Sequence, residues 1–206
     1  MKRENVISIF QKFFDRNLAP LGFVLRTPSF AECALEGMRQ GVVWKFEESA
    51  SSSSFGCNAF WAFTHELDDA PPNAGFGNYG KSLSGACTPD IQVWDTVITE
   101  SHVERRLQEV LKEDLAVLIR LGSVNRVLAE IKRHPRTAHL LIGDDKVVAP
   151  FNLAFCLEIA GRKPEAKQLY EAIVRNLADD GSDLASRCRE AAQKRAAALS
   201  GFDANA

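Results

Sequence analysis

The spacing of apolar residues changes twice along this chain, and these changes constrain the fold more than any other feature of the sequence. Between residues 4 and 18 apolar positions recur every three or four residues, which predicts an amphipathic helix that Pro20 and Gly22 would end. Apolar and polar residues then alternate at 41–48 and 55–63, and a shorter apolar run covers 23–26. Alternation is typical of strands, so we expect an antiparallel sheet with the serine-rich segment 49–54 as a hairpin loop.

From residue 101 onward the helical spacing returns and persists. Ser101 and Glu104 fit a capping box at the start of a helix that would end at Gly122. Further helices are predicted at 124–131, after Pro150, at 164–177 and at 182–199. The sequence therefore predicts an α+β fold: an N-terminal helix, an antiparallel sheet of three to five strands and an all-helical C-terminal part. We expect two domains, 1–98 and 99–206, or two parts packed as one unit.

Composition narrows the classes of partner. A chain of 206 residues with 46% hydrophobic residues can bury a full core, which excludes intrinsic disorder. Residues 1–100 carry 8 lysines and arginines against 12 acidic residues, and the remainder carries 17 against 15, so neither part is basic enough to predict nucleic-acid binding. No apolar run approaches the roughly 18 residues of a membrane span, and the N-terminal residues do not form a secretory signal. We expect a cytoplasmic protein without a membrane partner.

The cysteines indicate neither a metal site nor a disulfide framework. The chain has five, at Cys33, Cys57, Cys87, Cys156 and Cys188, without C-x-x-C spacing, and no histidine pair completes a zinc motif. Most of them lie in apolar patterns, where a reduced cysteine packs as a small hydrophobic residue. We therefore expect no metal site and no cofactor.

The catalytic candidates do not form a set. Nucleophilic catalysis requires a cysteine or serine beside a histidine that an acidic group orients. Cys57, Cys87, His65 and His102 are available, but no local motif groups them. We assign no catalytic residue, expect surface or capping roles for the histidines, and favour a protein that is not an enzyme.

One segment keeps an enzymatic alternative open. Residues 75–82 satisfy G-x-x-x-x-G-K-[ST] with Gly75, Gly80, Lys81 and Ser82, the pattern of a phosphate-binding loop. Such a loop must leave a buried strand and enter a helix, whereas prolines at 71 and 72 precede this one and no long helical pattern follows it. We favour a glycine-rich surface loop, and the alternative is a nucleotide-binding enzyme that uses these residues.

The same long segment begins with an acidic group. Glu66, Asp68 and Asp69 open a stretch from 65 to 89 that lacks helical or strand periodicity, before an expected short strand at 91–94. Long loops of this kind are often functional, and an acidic loop attracts a basic partner. We predict that these three residues contact a partner protein of unknown identity.

The strand at 55–63 has aromatic residues on both faces. Trp61 and Phe63 share the face that we assign to the sheet core with Trp44 and Phe46, whereas Phe60 lies on the opposite face. Either a helix covers that second face or part of it binds a partner, and we favour helix cover.

The last third resembles a known repeat. The order and spacing of Asn152, Ala154, Leu157, Gly161-Arg162, Glu165-Ala166 and Tyr170 are similar to one tetratricopeptide repeat. The resemblance implies two antiparallel helices, the first ended by Gly161 and the second opened by Pro164. The sequence departs from the repeat at Ile173 and Ala178. A single repeat predicts a helical hairpin packed on other parts of the chain, or a self-association module, rather than a peptide-binding superhelix.

The front part, from the first helix to residues 90–94, resembles a bacterial domain family of unknown function, and in size and plan it resembles small cytosolic immunity proteins that neutralise toxins. These resemblances carry over no residues. Together with the absence of a catalytic set, they favour a non-enzymatic protein-binding module, with an immunity protein as the specific form of the hypothesis.

Overall fold

The computed structural model describes residues 1–48, 53–65, 67, 98–142 and 145–200, and these residues form two compact units. One contains the described residues of 1–62 together with 98–121, and the other contains the described residues of 63–67 together with those of 122–200. The α+β fold predicted from the sequence is confirmed, with a helix, a sheet and then helices in chain order.

The first unit begins with α1, Arg3–Phe13, whose buried face consists of Val6, Ile9, Phe10 and Phe13. The predicted helix continues to residue 18, but Phe14–Leu18 form a wider π-helical turn and Ala19–Leu21 a 3₁₀ turn. The chain then reverses at Gly22, where φ is +84°, a conformation that glycine adopts without the steric cost that a side chain adds.

The sheet has four strands among the described residues, in the order β1-β2-β3-β4. Their bounds are β1 Val24–Thr27, β2 Phe30–Leu35, β3 Met38–Glu48 and β4 Ser53–Phe63. The pairs β1–β2 and β2–β3 are antiparallel, and Leu35 pairs with Met38 across a two-residue turn in which Gly37 has φ +72°. The spacing of apolar residues did not indicate β2, and β4 includes Ser53 and Ser54, which we predicted in a loop.

One face of the sheet packs on α1. The ring centroid of Phe10 lies 6.1 Å from that of Trp44, and Trp44 lies 6.2 Å from Phe55 on the neighbouring strand. The Trp44 Nε1 donates to the carbonyl of Pro28 at 3.0 Å, so this buried indole has a hydrogen-bond acceptor. The amphipathic helix and the alternating strand thus bury their apolar faces against each other.

Phe60, on the second face, packs within the sheet. Its ring stacks on that of Phe30, with centroids 5.7 Å apart and planes inclined by 20°. The ring also lies over the backbone of Gly41, where a Cβ would clash with two ring carbons. Phe60 is therefore half-buried by neighbouring strands, and the predicted helix cover of this face stays a prediction.

The helical stretch after residue 98 starts two residues earlier than predicted. The helix α2, Glu100–Val110, has Thr99 at its N-cap, with His102 N and Val103 N donating to the Thr99 carbonyl. Ser101 is thus a first-turn residue and not the cap of a capping box. The chain passes through a π-helical turn, Leu111–Leu115, into the short helix α3, Ala116–Arg120.

The second unit consists mainly of helices. Their bounds are α4 Val124–Arg133, α5 His139–Ile142, α6 Val148–Ile159, α7 Lys163–Asn176 and α8 Asp183–Ser200. Between α6 and α7 the chain turns at Gly161, with φ +75°, and Pro164 lies in the first turn of α7, as the sequence predicted. The resemblance to a tetratricopeptide repeat itself stays a prediction.

The core of this unit lies between α6, α7 and α8. Tyr170 and Phe151 are fully buried at its centre, with ring centroids 5.3 Å apart. Alanines at 154, 166, 191, 192 and 196 join them, and small residues allow helices to approach closely.

The helices α2 and α3 belong to the same compact unit as the sheet. The sequence-based division instead predicts them in the C-terminal part. The division into domains 1–98 and 99–206 stays a prediction. Within the described residues, each helix is too short or too polar to cross a membrane.

Candidate functional site

A groove of about 450 Å³ lies between α1 and α2 in the first unit. From α1 and the π-helical turn that follows it, the side chains of Asn5, Ser8, Lys12 and Arg16 line it. These residues are spaced by three or four positions, so they occupy one side of the helix over three turns. All four are exposed. This wall of the groove is therefore polar and, at its C-terminal end, positively charged.

The opposite wall comes from α2 and carries the other sign of charge. Glu100, Glu104 and Gln108 recur every four residues and are exposed. Between the walls, Ile9, Phe13 and Leu107 form an apolar floor. These three residues are at most 9% exposed, since they also pack in the core of the unit.

The charges of the two walls are not neutralised by each other. Glu100 and Glu104 have no oxygen within 4.0 Å of the side-chain nitrogens of Lys12 or Arg16. None of these four charged residues forms an ion pair with any residue that the structure describes. Exposed charges without partners interact readily with charges on a second molecule, because few existing contacts must first be broken. The groove can therefore accept a group that carries both signs of charge.

A second polar arrangement lies in the other unit, around His65. Its Nε2 is 2.6 Å from Asn152 Oδ1, and its Nδ1 accepts the backbone N–H of Leu67 at 3.3 Å. The Asn152 Nδ2 donates to the Ile142 carbonyl at 2.8 Å, which directs Oδ1 towards the imidazole. Because Nδ1 is an acceptor, Nε2 carries the proton and donates to Asn152. This network assigns the imidazole its neutral Nε2–H tautomer.

Aromatic rings enclose the same imidazole. The centroids of Phe151 and Phe155 are each 5.1 Å from it in edge-on geometry, and Phe63 stacks at 6.2 Å. His65 is only 9% exposed. The surface or capping role that we expected is therefore wrong for this histidine, which is part of a core. His134, in contrast, is exposed, as predicted.

A neighbouring network links α6, α7 and α8 through one carboxylate. The Glu158 Oε2 accepts from the Tyr170 hydroxyl and from Arg195 Nη1, each at 2.8 Å. The Arg195 guanidinium also lies 4.9 Å from the centroid of Phe155, within the range of a cation–π contact. All three polar groups are thus engaged in contacts that hold the helices together.

The cysteines of α6 and α8 are poor nucleophiles. Burial raises the pKa of the Cys156 thiol far above its usual value, and burial together with the charge of Asp145 raises the pKa of Cys188 to about 11. A nucleophilic cysteine needs the opposite shift, because the thiolate is the reactive form. Cys57 is buried in the sheet. The geometry of these residues favours packing over catalysis.

The residues that we predicted to bind a partner, Glu66, Asp68 and Asp69, lie outside the described residues. The same holds for those of the alternative phosphate-binding loop, Gly75, Gly80, Lys81 and Ser82. Both predictions therefore stay predictions. The charged pairs of the groove were missed, because α1 and α2 are more than 80 positions apart and a local pattern does not reveal which helices pair.

Among the described residues, no group of three or more histidine, cysteine, aspartate or glutamate side chains could hold a metal ion. No protein-family model, curated protein or solved structure matches this chain.

Proposed function

We propose that this chain is a non-enzymatic protein-binding module whose partner is another protein. The observation that carries the proposal is the groove between α1 and α2, where Lys12 and Arg16 face the same space as Glu100 and Glu104 without ion pairs among the described residues. Charged residues around an apolar floor are typical of a binding surface that orients its partner.

The side chains that could have served catalysis support the same proposal. His65 uses both ring nitrogens in hydrogen bonds within its own unit. The thiols of Cys156 and Cys188 have raised pKa values. Such contacts stabilise a fold, and they oppose the activation that a general base or a nucleophile needs.

An immunity protein that neutralises a toxin is the specific form of this proposal. Its support is the resemblance of the front part to small immunity proteins and the presence of both signs of charge in one groove. Electrostatic complementarity accelerates association and excludes wrong partners, and both properties suit an inhibitor that must capture a toxin quickly.

The test is isolation of a stoichiometric complex. The tagged full chain is expressed in its source cell and purified at low and at high salt, and co-purifying proteins are quantified against the chain. We expect one partner at a fixed ratio that dissociates as salt rises, since salt screens exposed charges. Co-expression with a toxic product of a neighbouring gene then tests the immunity form, which predicts restored growth.

Two results would contradict the proposal. One is that no protein co-purifies with the chain at any salt concentration, although the source cells express it. The other is saturable binding of magnesium ATP or GTP in a calorimetric titration, which would favour the nucleotide-binding enzyme.

A further inference from the structure

We infer that the groove between α1 and α2 binds a short extended segment of the partner protein in which an apolar residue lies between one acidic and one basic residue. The inference rests on the proposed function and specifies the surface and the chemistry that the partner must present.

The charges of the walls define the two charged residues of the segment. Lys12 on α1 and Arg16 in the turn that follows it attract a carboxylate, and Glu100 and Glu104 on α2 attract an ammonium or a guanidinium group. A segment with only one sign of charge would meet attraction at one wall and repulsion at the other. The complementary occupant therefore carries both signs.

The floor defines what lies between these charges. Ile9, Phe13 and Leu107 meet at the base of the groove. These residues are already largely buried, so the gain comes from the side chain that lies on them: each Å² of its own apolar surface removed from water contributes roughly 25 cal/mol. The central residue of the segment is therefore apolar.

The dimensions of the groove favour a peptide segment over a free amino acid. From Asn5 to Arg16 a helix rises about 16 Å, and from Glu100 to Gln108 about 12 Å. An extended chain advances about 3.3 Å per residue, so four or five residues span this length.

The same charges have a second role that an experiment must separate from binding. Glu100 lies in the first turn of α2, while Arg16 lies near the C-terminal end of the α1 helical stretch, and each sign is favourable at that helix end. If helix stabilisation were their sole role, charge reversal would lower stability without changing what the groove binds.

The probe is a set of pentapeptides blocked at both ends, with a central leucine and with aspartate, lysine or alanine at each flanking position. Binding to the full chain is measured by NMR, from shifts of backbone amides in 5–17 and 100–108. We expect peptides with one acidic and one basic flank to bind about tenfold more tightly than those with two alanines, because two charge pairs are added.

Two double variants test which wall of the groove attracts which charge of the peptide. Lys12→Glu with Arg16→Glu should remove the preference for an acidic flank, and Glu100→Lys with Glu104→Lys the preference for a basic flank. The controls are Arg175→Glu with Lys194→Glu, and Glu171→Lys with Glu190→Lys, which change net charge equally at exposed positions of the other unit. These control variants should leave the preference of the chain among the peptides unchanged.

The inference is overturned if no peptide shifts these amides at millimolar concentration, if alanine-flanked peptides bind as tightly as doubly charged ones, or if the groove variants and the controls behave alike. A stoichiometric partner that binds the groove variants as tightly as the wild-type chain would also overturn it, while the proposed protein-binding function would stand. Absence of any partner would instead contradict the proposed function.

Discussion

The imidazole of His65 and the carboxamide of Asn152 are joined by a 2.6 Å hydrogen bond although 87 positions separate them in the sequence. Asn152 in turn donates to the Ile142 carbonyl. One side chain of α6 therefore holds both the segment that follows β4 and the end of α5, and its removal should affect more than one contact.

We expect Asn152→Ala to lower the free energy of unfolding by about 1–3 kcal/mol, because the variant leaves the His65 Nε2–H and the Ile142 carbonyl without this partner. Urea denaturation measures the change, and hydrogen exchange at the Leu67 amide should accelerate. Asn17→Ala is the matched control, since the Asn17 amide makes one hydrogen bond, to Phe13 of its own helix. Equal losses for the two variants would contradict the larger contribution that we expect from the two hydrogen bonds of Asn152.

The close approach of Phe60 to Gly41 leads to a second prediction. A methyl group at position 41 would clash with the Phe60 ring and lie 2.9 Å from the Ala31 carbonyl oxygen. We expect Gly41→Ala to destabilise the chain by about 1–3 kcal/mol, as overpacking does. Thermal or urea denaturation measures the loss.

Two further variants test the cause. Gly41→Ala combined with Phe60→Ala should cost less than the sum of the single substitutions, since the ring is gone and only the Ala31 carbonyl restricts the methyl group. Gly181→Ala, at a glycine with no atom within 4 Å of its added Cβ, should change stability by less than about 0.5 kcal/mol. Strict additivity of the pair would contradict a clash between residue 41 and the ring.

Glu158 provides a third prediction, because its Oε2 accepts from both Tyr170 and Arg195. We expect Tyr170→Phe to cost about 0.5–1.5 kcal/mol, since it deletes one hydroxyl from a fully buried side chain while the ring remains. A double-mutant cycle with Arg195→Met measures the coupling of the two donors through the carboxylate. An interaction energy of zero would mean that the two bonds are independent.

The fold class was predictable because amphipathic spacing is a local property. Phe10 and Phe13 on α1, and Trp44 and Phe55 on the strands, are buried at the positions that their spacing indicates. The strand β2 was missed because its apolar residues do not alternate clearly: Phe30 and Ala31 are adjacent and both buried. Its place in the sheet depends on pairing with β3, which is a tertiary property.

The contacts of the candidate sites were less predictable. Lys12 and Arg16 have the spacing of an ordinary solvated helix face, and Glu100 and Glu104 have the same spacing on a distant helix. Only the packing of the two helices forms a groove from them. His65 was misplaced for a related reason, since its burial depends on Phe151 and Phe155, which follow it by more than 80 positions.

The thiol of Cys188 leads to the last prediction, a loss of stability in alkaline solution. Its pKa rises from 9.0 to about 11 because it is buried and near Asp145, and the neutral thiol donates to the Val147 carbonyl at 3.5 Å. Above pH 9 the unfolded chain releases this proton while the folded chain retains it until about pH 11. The contribution of the neutral thiol is therefore complete below pH 9 and is lost as pH rises, by about 2–3 kcal/mol in total.

Urea denaturation between pH 8 and pH 11 measures this loss. For Cys188→Ala and Cys188→Ser, the free energy of unfolding should fall less steeply with pH than for the wild-type chain, since both lack the ionisable group. The two variants differ in cavity size and hydrogen bonding, and hence in their stability at pH 8. Part of the decline should remain in both, because burial raises the pKa of Cys156 in the same direction. If the two variants declined as steeply as the wild-type chain, the Cys188 thiol would not be the group that titrates, and its contact with the Val147 carbonyl would have no measurable effect on the pH dependence.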